Sequence, residues 1–349
     1  MTTFLVLAGV LGVAVVVVAF LVWLVRFIFG RRKILGRVFK KAGIVYLVLL
    51  PLFVWGLVPL LFSYLILHSG TRPPDLRLSE TPSDLGCTFQ EASFKSRDDH
   101  SLSGWYLPGQ QDQPAFSISH GLFRNRHEVQ KRACDLSQRG YPVLIFDFRA
   151  HGSAQGTSER AYVTMGYSER LDVLGAVDYL LEKGHQEIVL MGVSMGAVAV
   201  IQAAPEVTSH LKAVIADSPF YSLDETVSRH VRLFLGLPAF PFANVFAFGM
   251  RTMGGIPAGQ PNSAQALAKL QSVPVLLIYG QDDRRMPEET ARAVFEAVAG
   301  PRKELIFFEG ARHGRAYDSA PRRYVDLIDA FLKDEAGAPA AGPASRGAG

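Results

Sequence analysis

From Leu85 to Lys333 the sequence predicts an α/β domain, a mostly parallel sheet with helices on both faces, and ahead of it a two-helix transmembrane hairpin. Three observations lead there. Compact apolar runs recur along the chain, longer amphipathic stretches lie between them, and two long uncharged segments stand near the N-terminus.

The N-terminal elements come first. Phe4 to Val25 reads FLVLAGVLGVAVVVVAFLVWLV, and Ile44 to Leu67 is a second uncharged stretch. Each is about the 20 residues that a helix needs to cross a bilayer. Pro51 and Pro59 fall inside the second, where neighbouring helices in a membrane can satisfy the carbonyls they free. A cleaved signal peptide carries its positive charge before the apolar stretch. Here Met1-Thr2-Thr3 has none, and the basic residues follow, in RRKILGRVFKK from Arg31 to Lys41. A loop that basic is held on the cytoplasmic side by anionic lipid and the membrane potential. Residues 1–68 are therefore expected to form the hairpin, with spans of about 4–25 and 44–67. The chain is expected to be a multi-pass cell-membrane protein with everything after His68 extracytoplasmic. Much of the excess behind the formal net charge of +4 lies in that loop, which points to lipid. With no aromatic-rich basic strand and no zinc-type Cys/His cluster, nucleic acid is not an expected partner.

Residues 69–84, with Pro73-Pro74, read as an extended connector that lifts a soluble domain off the membrane. Residues 334–349, an alanine- and glycine-rich tail, are too poor in large apolar groups to order themselves. The chain has 2 cysteines, Cys87 and Cys134. An oxidising compartment would permit a disulfide, but sequence separation says nothing of distance in space, and a free buried pair is the expectation.

Within 85–333, CTFQEASFKSRDDHSLSGWYLPG suggests an antiparallel hairpin turning at Ser96 to His100. Strands buried on both faces are expected at Ala115 to Ser119, Val143 to Phe146, Ile188 to Met191, Val214 to Ala216, Val275 to Tyr279 and Leu305 to Phe308. Arg170 to Lys183 and Pro287 to Val298 have helical periodicity. Open sheets of this kind place ligands beyond the carboxyl ends of their strands. The stretch of about 219–272, rich in aromatic and aliphatic residues, is too apolar for a solvated loop and is expected to cap such a site.

The chemistry centres on Gly192-Val193-Ser194-Met195-Gly196, directly after the strand EIVLMG and before the helix MGAVAVIQAA. A chain with this glycine and serine content holds G-x-S-x-G by chance about 0.2 times, so the pentapeptide alone is weak and its strand-to-helix setting carries the weight. Small flanking residues let the serine project above the sheet, and the helix aims its first N–H groups at whatever the serine attacks. A serine needs a base, and the base an orienting acid. PVLLIYGQDDRRMP places Asp282 and Asp283 just past one strand, and LIFFEGARHGRAYD places His313 just past another. The order Ser, Asp, His suits this sheet. Oxyanion donors are expected from the backbone N–H groups of Leu122, in SISHGLFRNRH, and Met195. His151 reads as a loop-stabilising residue, and Asp217 as a lesser candidate for the acid.

Those residues carry a resemblance. LSGWYLPG, SHGLFRNR, FDFRAHGSAQG, GYSERLDVLGAVDYL, GVSMGAVAV, VIADSPF, YGQDD and GARHG, in this order, resemble the α/β-hydrolase superfamily and within it the membrane-anchored Bem46/ABHD13-like group, over roughly Leu85 to Leu332. The resemblance implies an α/β-hydrolase fold and selects Asp283 over Asp282, counting from Gly280 and agreeing with Pro287. Tyr279, Ala150 and Arg312 stand where the group commonly has histidine, glycine and glycine. The expected function is a serine hydrolase with Ser194, Asp283 and His313 as its triad, no metal and no organic cofactor. Its expected substrate is a small-molecule or lipid-like ester or thioester. A peptidase using the same triad and a non-catalytic membrane-tethered binding protein are the alternatives.

Overall fold

The computed structural model describes Trp23 and residues 47–152, 161–300 and 302–333. The chain divides into two compact units, Met1–Val58 and Pro59–Gly349. The first expected span (apart from Trp23), the basic loop and the tail lie outside the described residues. Among the described residues one helix, α1 (Leu47–Leu67), is long and apolar enough to cross a bilayer. It widens to a π turn at Phe53–Leu57, between Pro51 and Pro59, which cannot donate to the helical ladder.

The stretch expected to run as an extended connector is folded. Pro73–Leu76 forms a helical turn and Pro82–Leu85 a 3-10 turn with a Thr81/Asp84 capping box. Proline at the first helical position has its φ already set and loses no bond there, so Pro73 starts a turn where its pairing with Pro74 suggested extension.

Eight strands follow: β1 (Gln90–Lys95), β2 (Ser101–Leu107), β3 (Ala115–Ser119), β4 (Val143–Phe146), β5 (Ile188–Val193), β6 (Leu211–Asp217), β7 (Val275–Gly280) and β8 (Lys303–Phe308). They make one sheet in the order β1-β2-β4-β3-β5-β6-β7-β8. β1 pairs antiparallel with β2 and β2 with β4, and the remaining pairs are parallel. The helices are α2 (His127–Gln138), α3 (Glu169–Glu182), α4 (Met195–Ala203), α5 (Leu223–His230), α6 (Phe242–Gly254), α7 (Glu288–Glu296) and α8 (Pro321–Lys333), with shorter turns between. One core packs α3, α4 and α7 on one face of the sheet, and a second packs α2 and α8 on the other. β3 to β7 are buried almost throughout, which is why they read as continuous apolar runs. The chain leaves β3 for β4 on one side and returns to β5 on the other. This reversal opens a crevice at the carboxyl ends of β3 and β5.

Cys87 and Cys134 are joined in a disulfide with their Cα atoms 5.9 Å apart, which corrects the expected free pair. The bond ties the chain entering β1 to α2; the folded turn at Pro82–Leu85 lies against α2 and carries Cys87 to that helix, a proximity that sequence separation could not reveal.

Between β6 and β7, α5 and α6 pack on each other. α6 also lies on the end of α1: Ser63 Oγ donates to Phe246 O (2.8 Å), Phe62 meets Phe242 edge to face, and a Cβ on Gly249 would come 2.5 Å from Ser63 Oγ.

Candidate active site

Ser194 is built by its neighbours. It sits between β5 and α4 at φ 54° and ψ −115°, a conformation costly to any residue with a Cβ. The turn closes because both flanking positions lack side chains. A Cβ on Gly192 would lie 2.3 Å from Gly196 O, and one on Gly196 2.5 Å from both His120 O and Ser119 O. The Ser194 N–H donates to Asp217 O (2.8 Å), tying the bend to β6.

The structure brings Ser194, His313 and Asp283 together. Ser194 Oγ lies 2.8 Å from His313 Nε2, and His313 Nδ1 lies 2.7 Å from Asp283 Oδ2. The carboxylate can only accept, so Nδ1 carries the hydrogen and Nε2 is left to accept from the hydroxyl. The other oxygen of Asp283 accepts from the Arg285 and Met286 N–H groups (2.8 and 3.0 Å). Asp282 is exposed, and its N–H donates to Ala311 O (2.9 Å).

Gly121 lies against the serine: its Cβ would be 3.5 Å from Ser194 Cβ. Leu122 follows it on the loop after β3, and Met195 is the first residue of α4. Among the described residues neither the Leu122 nor the Met195 N–H has a hydrogen-bond partner, whereas the Gly121 N–H is taken by Glu128 Oε2 (2.6 Å). Two unengaged amides beside a serine hydroxyl can receive a negatively charged oxygen.

Asp217 is fully buried and is not the partner of His313. Its carboxylate accepts from Ser218 Oγ (2.9 Å) and Tyr324 Oη (3.1 Å) and faces Arg132 at 3.6 Å. Burial raises its pKa against the lowering pull of Arg132. Ser218 Oγ accepts in turn from the Gly314 N–H (3.2 Å), so this network supports the His313 loop from behind. His151 is buried and donates from Nδ1 to Arg149 O (3.0 Å). Arg312 is exposed at the site's edge, and Tyr279 is buried with its hydroxyl donating to Pro219 O (2.9 Å). Glu128, Asp147 and Asp75, which hold the loop after β3, escaped sequence reasoning. They lie on three separate elements and no spacing rule links them.

A sheet in this order with a serine at the β5–α4 bend has the architecture of the α/β-hydrolase fold. The serine aminopeptidase S33 model (Hydrolase_4) matches residues 110–253. Protein YqkD of Bacillus subtilis is 27% identical over 236 residues, 67% of this chain and 75% of its own length. Bem46 of Schizosaccharomyces pombe is 19% identical, over 67% of this chain and 73% of that one. Lysophosphatidylserine lipase ABHD12 of Macaca fascicularis is 27% identical, over 53% and 47%. Among solved structures, an esterase of Pyrococcus furiosus superposes with a TM-score of 0.60 at 28% identity, covering 75% of this chain and 97% of that one. The chain thus has the α/β-hydrolase fold and resembles the Bem46/ABHD group, and these likenesses support hydrolase activity.

Proposed function

We propose that the protein is a membrane-anchored serine hydrolase cleaving carboxylic ester or thioester bonds of an apolar or lipid-like substrate. Ser194 Oγ attacks the acyl carbon as His313 Nε2 takes its proton. Asp283 holds the imidazole and balances its charge, and the Leu122 and Met195 N–H groups receive the oxyanion. The C–O or C–S bond breaks as His313 returns the proton to the leaving group, and water then hydrolyses the acyl-enzyme by the same route. One observation carries this assignment: the hydrogen-bonded series Ser194–His313–Asp283 beside two amides without partners among the described residues.

The aromatic character of the segment we read as a cap supports an apolar substrate. Phe234, Phe240 and Phe248 of that segment are exposed, and Arg285, two residues past Asp283, stacks 5.5 Å over Phe234. The domain organisation we propose is a hairpin over 1–68, a hydrolase domain over 85–333 with a cap of about 219–272, and a tail over 334–349. The apolar length of α1 supports the anchor. The Cys87–Cys134 disulfide supports an oxidising, extracytoplasmic side.

A second reading, peptide cleavage, is favoured by the description of the matching family model, serine aminopeptidase. Both are tested by turnover of the full chain on a series of acyl p-nitrophenyl esters against aminoacyl p-nitroanilides. Ester hydrolysis that lengthens its preference with the acyl chain, lost in Ser194→Ala, is the expected outcome. Faster turnover of the anilides would favour the peptidase. No turnover of either would favour a binding protein.

A further inference from the structure

We propose that the segment Thr71–Asp75, immediately after α1, is a positioning element of the oxyanion site: it holds the His120–Arg126 loop in the conformation that presents the Leu122 N–H to Ser194. The proposal rests on the assignment of Ser194 as nucleophile and adds a part of the chain outside the expected hydrolase domain.

The contacts are dense and specific. The Arg72 N–H donates to Phe123 O (3.0 Å), and Thr71 Oγ1 donates to Arg124 O (2.7 Å). Asn125 Nδ2 donates to Asp75 O (3.0 Å), and Arg124 Nη1 to Asp75 Oδ2 (2.9 Å). Arg72 makes a two-pronged pair with the same carboxylate (2.8 and 2.9 Å), so two guanidinium groups share Asp75. Thr71 Oγ1 also accepts from the Gly152 N–H (2.7 Å). Thr71 is 4% and Asp75 7% exposed, so water competes little for these bonds. Each of Phe123, Arg124 and Asn125, the three residues after Leu122, is therefore bonded to the segment. On its other side the loop is held by Glu128 at Gly121 and by Asp147 Oδ1, which accepts from the Arg126 N–H (2.8 Å).

A second, independent observation shows that the loop needs holding. Phe123 has φ 63°, the left-handed region that a phenylalanine avoids. Such a residue persists only where its surroundings over-determine it. The Arg72 N–H bond falls on the carbonyl of that very residue. Released, Phe123 gains by returning to negative φ, and the peptide preceding it, which leads back to Leu122, moves with it.

Thr71 follows the last residue of α1, Leu67, by four positions, so the oxyanion donor is fastened to the end of the apolar helix.

The test uses the full chain in detergent with Thr71→Val and Asp75→Asn, measuring kcat, KM, the thermal midpoint and the Ki of an acyl trifluoromethyl ketone. The hemiketal this ketone forms on Ser194 needs the oxyanion donors, as the transition state does. A misplaced donor predicts kcat lower by about tenfold to a hundredfold and Ki weaker in parallel, with KM within about twofold. The thermal midpoint should fall too little to unfold the protein at the assay temperature. Thr71→Val swaps a hydroxyl for a methyl at nearly constant volume, so it decides the matter if Asp75→Asn does not fold. Wild-type kcat and Ki in Thr71→Val would overturn the proposal, as would a loss of kcat with Ki unchanged. If the wild-type protein itself neither turned over ester nor bound the ketone, the hydrolase assignment would fail first, and this proposal with it.

Discussion

Ser194 shows at the scale of one residue how much a pentapeptide can say. The two glycines stand where a Cβ would strike backbone, so their presence announces the bend, and the apolar runs on either side announce strand and helix. His313 and Asp283 stand out in the sequence because each follows an apolar run: β7 is buried throughout, whereas β8, at the edge of the sheet and expected to be buried on both faces, is buried only at Phe308. The choice between Asp282 and Asp283 was not legible from the run itself, because adjacent residues in a turn point opposite ways. The structure buries Asp283 and exposes its neighbour. His120 and His151 carry a further consequence. Both are buried, with ring centroids 5.2 Å apart. His120 donates from Nδ1 to Gly121 O and accepts at Nε2 from the Phe148 N–H, a pattern open only to the neutral ring. Burial, followed by the neighbouring His120, pushes His151 down to about 4 from its ordinary 6.5, and burial also lowers His120. Between those values the unfolded chain binds protons that the folded chain refuses, so this contribution to stability is full above pH 6.5 and is lost as pH falls toward 4. Asp172, raised by burial to about 6, works in the opposite sense over part of that range. His151→Gln isolates the histidine: its unfolding free energy, from urea titrations, should fall less steeply on acidification, by at most about 1.4 kcal/mol per pH unit. An unchanged slope would show that His151 titrates normally in the fold.

At the scale of elements, β3 to β7 and the helices between them were readable because burial on both faces leaves nothing but apolar residues in a strand. The turns at Pro73–Leu76 and Pro82–Leu85 were not readable: their residues are polar and proline-bearing whether or not they dock. Long-range bonds between Thr71 or Asp75 and the loop after β3 dock the first turn, and packing against α2 docks the second. The disulfide escaped for the same reason, since Cys87 reaches α2 only because the chain ahead of β1 is folded against it. It closes a sequence separation of 47 residues, for which cross-linking is expected to contribute about 2–4 kcal/mol. The double variant Cys87→Ser, Cys134→Ser should therefore lose about that much unfolding free energy and unfold at a lower denaturant concentration, and reduction of the wild-type protein should reproduce the shift. Equal midpoints before and after reduction would mean that the bond does not constrain the unfolded chain.

Across the whole molecule, every feature of the site gathers at one edge of the sheet. The loops after β3, β5, β7 and β8 meet where the strand order reverses, the segment containing α5 and α6 approaches the site through Phe234 and Arg285, and α6 lies on the end of α1. Ser194, the proposed nucleophile, is thereby linked to the C-terminal end of α1, through the loop after β3 on one side and through α6 on the other. If Ser194 is an activated nucleophile, as proposed, a fluorophosphonate will label the full chain covalently at that residue. The expected result is one adduct per chain, mapped by peptide mass to Ser194 and absent in both Ser194→Ala and the heat-unfolded protein. No adduct on the folded protein, or one mapped to another serine, would contradict it.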